Sequence, residues 1–153
     1  MLTIKLEIES NITEDKIDSF TRGHITIRGN GFTLSSKDRV PDQSMMIFFS
    51  IAQLISEVKM FMNNQESKKY NFVGTDSSFQ FFLIKKEKCF LLTEIKNNKI
   101  YEGSQSRIVA SIWRGVKDFI LEFGDYLDND EIIVNDLNSS MEEFREEFKL
   151  SKL

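Results

Sequence analysis

Between Tyr70 and Tyr101 the chain repeats one pattern: a short apolar run, then a polar turn of a few residues. The runs are Tyr70 with Phe72, Phe79 to Ile84, Cys89 to Ile95, and Ile100 with Tyr101. The turns lie at Gly74 to Ser78, Lys85 to Lys88, and Asn97-Asn98. Parallel neighbours need a crossover of about a dozen residues or more, and these turns are too short to supply one. The segment therefore reads as an antiparallel meander of three or four strands, and the rest of the chain must pack around it.

The flanking segments supply further strands and the covering helices. Leu2, Ile4, Leu6 and Ile8 alternate with Thr3, Lys5, Glu7 and Glu9, the period of a half-buried strand. Residues 11–22 are polar and read as a loop with one helical turn. Ile25 and Ile27 begin a hairpin that turns at Gly29-Asn30-Gly31 and returns through Phe32 and Leu34. Asp42 is placed to cap a helix running to about Asn63. Ile47, Phe48, Ile51, Ile55, Val58 and Met62 cover most of its circumference, so it should be largely buried across the sheet. A second helix is predicted from an N-cap at Ser104 to Phe123. Ile108, Ile112, Val116 and Phe119 line one side, with Arg107, Arg114, Asp118 and Glu122 on the other. Beyond Gly124, the run Ile132 to Val134 reads as an edge strand. Ser140 and Glu143 form a capping-box pair for a last helix. The expected class is α+β in one domain spanning 1–153. It would have an antiparallel sheet of about six strands, two main helices on one face, and a short acidic C-terminal helix in a segment 125–153 packed on the rest.

Composition removes several function classes. Net charge is −4, with no basic stripe for phosphates, so nucleic acid is not the expected partner. No n-region and h-region open the chain, and no apolar run could span a bilayer. A cytosolic protein without a membrane partner is expected. Cys89 is the only cysteine and reads as a small buried hydrophobe. His24 is the only histidine and reads as a strand-end or surface residue. One His and one Cys fall short of a zinc ligand set. Phosphate-loop and dinucleotide fingerprints are absent, and Asp125, Asp128 and Asp130 lack the glycine and closing glutamate of a calcium loop. No cofactor or metal is expected, and the chain reads as a binding module rather than an enzyme. The enzymatic alternative is a magnesium-dependent nuclease, with Asp76 and Glu94 sharing the metal and Lys96 positioning a water.

Charge is unevenly distributed. Residues 1–117 carry 17 Lys+Arg against 13 Asp+Glu, whereas residues 118–153 carry 3 against 11. Carboxylates concentrated on a folded surface can steer a basic partner. The candidates are Asp125, Asp128, Asp130, Glu131, Glu142, Glu143, Glu146 and Glu147.

The order of elements resembles the small immunity proteins of bacterial polymorphic-toxin and contact-dependent inhibition systems. It comprises an N-terminal strand, the hairpin at His24 to Ser36, the apolar helix at Ser44 to Met62, the aromatic meander and the helix around Trp113. The resemblance implies a cytosolic domain that binds a cognate toxin, frequently a nuclease, and occludes its basic cleft with those carboxylates. A non-catalytic adaptor or homodimeric structural domain is the remaining expectation, with spare apolar surface on the first helix as its contact.

Overall fold

The computed structural model describes residues 1–95 and 98–153. It is an α+β structure with two antiparallel sheets of four strands each and three helices. In the first sheet, β1 (Thr3–Ile8) pairs with β2 (Arg22–Gly29) in a register that sets Ile4 opposite Ile27 and Leu6 opposite Ile25. That register buries all four on one face, as the alternation predicts. β3 (Phe32–Ser35) follows through Asn30 and Gly31, whose φ of +86° suits glycine. A short strand, β4 (Met45–Met46), pairs with the start of β2.

The second sheet is the meander, in the order β5 (Lys69–Val73), β6 (Gln80–Lys85), β7 (Phe90–Thr93) and β8 (Lys99–Gly103). Asn97, half of the expected last turn, lies outside the described residues. A single sheet of about six strands is thus corrected to two sheets. They touch where β2 ends: a Cβ on Gly29 would fall 2.2 Å from the Ile100 carbonyl oxygen, so the close approach needs glycine.

Helix α1 (Ile47–Asn63) is central and buried on most of its circumference. It starts later than the Asp42 cap implies, because Met45 and Met46 are taken up in strand pairing with β2. Asp42 instead accepts from the backbone N–H (2.9 Å) and hydroxyl (3.0 Å) of Ser44. At the far end the Lys85 ammonium donates to the carbonyls of Phe61 (2.7 Å) and Asn64 (2.5 Å). A cation there satisfies orphan acceptors and complements the helix dipole.

Helix α2 (Gln105–Phe123) begins at the predicted cap, where Ser104 Oγ accepts from the Arg107 N–H at 3.3 Å. Its buried face is wider than expected and includes Val109, Trp113 and Gly115. The reason is that α2 lies along the free edge of β1. Ser111 donates to the Leu2 carbonyl at 3.1 Å, and a Cβ on Gly115 would stand 2.5 Å from the Ile4 carbonyl oxygen. A strand edge that could template foreign pairing is thereby covered. The two main helices do not share one sheet face, which corrects that part of the expectation.

Helix α3 (Val134–Phe148) is 15 residues long and contains no flanking edge strand. The apolar run Ile132 to Val134 enters the helix, because Leu137, Met141, Phe144 and Phe148 continue it at helical spacing. Ser140 sits inside the helix instead of capping it. Phe144 stacks on Trp113 with ring centroids 6.0 Å apart. α3 covers much of α1, and the apolar surface expected to be spare for dimerisation is reduced to Met60 and part of Phe49. Among the described residues no helix is long and apolar enough to cross a membrane.

Candidate protein-binding surface

Two loops far apart in sequence form one acidic surface. In the first, Thr13 donates to Asp15 at 2.6 Å ahead of a 3-10 turn over Glu14–Lys16, and Ile17 is buried beneath it. Asp18 then accepts from the Phe20 N–H at 2.9 Å, a tight side-chain turn. The second loop opens with a 3-10 turn over Gly124–Tyr126 and is anchored by buried Leu127 and Ile133. Anchoring those apolar residues leaves Asp125, Asp128 and Asp130 exposed.

The seam between the loops is specific. Ser19, fully buried, donates its hydroxyl to a Glu131 carboxylate oxygen at 2.5 Å and its N–H to the same oxygen at 3.1 Å. The Ser19 Oγ also accepts from the Ile133 N–H at 3.3 Å. Further along, Glu14 of the first loop acts on Tyr126 of the second. Its hydrogen bond, then burial, then the charges of Glu14, Asp125 and Glu122 push the Tyr126 pKa above its ordinary 10.0. Carboxylates from both loops therefore act on one phenol. Glu14, Asp15 and Asp18 belong to this surface and were not among the sequence candidates. Lys16 is the only cation within residues 14–18 and 122–131.

The candidates on α3 stand differently. Arg145 donates Nε–H to Glu142 at 3.2 Å, and this hydrogen bond is the main reason the Glu142 pKa falls below 4.5. Arg145 also lies 3.9 Å from Glu146, and Lys59 of α1 pairs with Glu143 at 3.0 Å. Glu147 is exposed. Of the eight carboxylates, Glu131 is thus a latch between loops and three on α3 have cationic neighbours. Asp125, Asp128 and Asp130 have no ion pair among the described residues.

The helices beneath reinforce the field. Phe49, at the start of α1, meets Phe20 beside the Ser19 latch, which leads directly into α3. Ten residues on, Lys59 reaches Glu143, so α1 and α3 run side by side in the same direction. The N-terminus of α3 follows directly from the acidic loop and carries Asp136 in its first turn, where negative charge is favoured.

Two residues of the nuclease alternative, Asp76 and Glu94, have other hydrogen-bond partners. Asp76 sits in the β5–β6 turn with φ of +56°, its carboxylate bound at 2.9 Å by Arg22, which also grips Ser44. Glu94 accepts from the Asn98 amide, and Lys96 lies outside the described residues. Among the described residues no group of three His, Cys, Asp or Glu is placed to hold a metal ion. His24 is buried rather than exposed, with Nδ1 3.0 Å from Ser36 Oγ. Cys89 lies outside the strands and is half-exposed in the β6–β7 turn, which corrects its reading as a buried strand residue. Burial, then the nearby Glu102, push its thiol pKa above 9.0, away from nucleophile chemistry. No protein-family profile, curated protein or solved structure matches the chain.

Proposed function

We propose that this protein is a non-catalytic binding module that docks its two-loop acidic surface onto a basic protein domain, in the manner of an immunity protein occluding a toxin's cleft. The observation that carries this reading is the Ser19–Glu131 seam, which joins the loop bearing exposed Glu14, Asp15 and Asp18 to the loop bearing exposed Asp125, Asp128 and Asp130. Folding alone does not call for like charges gathered from two segments, since their mutual repulsion opposes it. A basic partner would relieve that repulsion and be steered by it. Glu142, Glu143 and Glu146 are less central here, because cationic neighbours already offset them.

The test is capture from source cells with wild-type and Asp128→Lys/Asp130→Lys baits, read by quantitative mass spectrometry. The reading expects a basic protein retained by the wild type, lost by the variant, and released by moderate salt. Equal recovery on both baits would remove the acidic surface from the function.

A further inference from the structure

Phe20 is held outside the core by a loop whose neighbouring residue is fully buried. Phe20 is 55% exposed, while Ser19 before it is 0% exposed. The latch to Glu131 and the Asp18 turn fix the backbone on both sides of that contrast. The ring is therefore presented in a set position. It packs on the half-buried Phe49 with centroids 5.8 Å apart. Across the seam, Ile132 is 69% exposed, and it adjoins both residues that bond Ser19. Tyr126, 40% exposed, adds a third aromatic to the two-loop surface.

Acidic residues flank these side chains along the chain. Asp18 is two residues before Phe20, Asp130 is two before Ile132, and Asp136 lies in the first turn of α3. The nearest cation after Phe20, Arg22, is engaged by Asp76 and Ser44. Interfaces concentrate their energy in central aromatic anchors, while a charged rim governs encounter and specificity.

We infer that Phe20, Phe49 and Ile132 form the apolar anchor of the docking surface, and that its occupant is a cationic protein segment with a large aliphatic side chain among its Lys or Arg residues. This rests on the binding reading above and deepens it. Long cationic side chains suit the place twice over, since their methylene stems can cover the rings while their heads meet the rim carboxylates.

Three synthetic peptides of equal length test it: Arg alternating with Leu, Arg alternating with Gly, and Gln alternating with Leu. Affinities are measured by NMR titration of the full chain, wild type and Phe20→Ala, with folding checked from the unperturbed spectrum. The Arg/Leu peptide should bind about tenfold tighter than either of the others, the scale of one good anchor. It should shift amides of residues 14–20 and 125–133. Phe20→Ala should remove that advantage and leave Arg/Gly binding unchanged. If Arg/Leu affinity is the same in Phe20→Ala, the anchor is overturned while the acidic reading stands. If neither arginine peptide shifts those amides, the acidic reading itself fails. If Gln/Leu binds as tightly as Arg/Leu, the cationic character of the occupant is overturned.

Discussion

The acidic end of this chain contains two regions that look alike in sequence and differ in space. On α3, Glu142, Glu143 and Glu146 project from a helix whose other face is built into the core through Leu137, Met141 and Phe144. Arg145 and Lys59 lie among those carboxylates. In the 124–133 loop, Asp125, Asp128 and Asp130 have no such partner among the described residues, and the neighbouring loop adds more negative charge. A surplus of carboxylates along a sequence is therefore not a surface. What distinguishes a steering field from an ordinary solvated helix is which carboxylates the fold leaves without cations.

The sharpest way to break the contrast is to remove α3 as a structural strut. Phe144→Ala should cost about 3–5 kcal/mol in denaturant unfolding, because the ring is fully buried against Trp113 and Phe148. A loss under about 1 kcal/mol would mean that α3 is a dispensable appendage like the loops. Next is the latch. Glu131→Ala should cost about 1.5–3 kcal/mol, the range for hydrogen bonds to a charged group, and it strands the buried Ser19. Asp130→Ala, one residue away and exposed, should stay within about 0.5 kcal/mol. Equal effects would show that the loop's carboxylates are all structural.

A smaller effect separates the regions in binding. With a captured partner in hand, stopped-flow association should slow about tenfold for Asp128→Lys/Asp130→Lys and hardly change for Glu142→Lys, which retains neighbouring Glu143 and Glu146. Similar slowing in both would merge the regions into one field. The smallest effect concerns acid. The Glu142 pKa is lowered from 4.5, chiefly by Arg145, so its contribution to stability is present above 4.5. It is lost as pH falls through the lowered folded value. Thermal melts of Glu142→Gln should show a slightly flatter decline below that pH than the wild type.

Much of the fold was legible because local pattern and tertiary context agree. The alternation of β1, the Asn30-Gly31 turn, the meander and the Ser104 cap each depend on residues close in sequence. The errors arose where a local signal met a distant partner. Asp42 resembled a helix cap, but β2 claims Met45 and Met46 as a strand. Ile132 to Val134 resembled a strand until the helical spacing from Leu137 onward absorbed it. The two sheets meet where Gly29 closely approaches Ile100, a contact no periodicity encodes. For the surface, Asp125, Asp128 and Asp130 could be found by counting charge. Glu14, Asp15 and Asp18 could not, because the Ser19–Glu131 contact joins positions 112 residues apart.

The cover of β1 has a consequence in time. Ser111 bonds the Leu2 carbonyl across 109 residues. At a synthesis rate of roughly 5–20 residues per second, the first strand therefore emerges about 5–20 s before the helix that closes its edge. During that interval β2 can pair on one side of β1, with β3 beyond it, while the other side of β1 stays open to any extended neighbour. The nascent chain passes through a window in which the outer edge of β1 is adhesive, and arrival of the Ser111–Gly115 segment ends it.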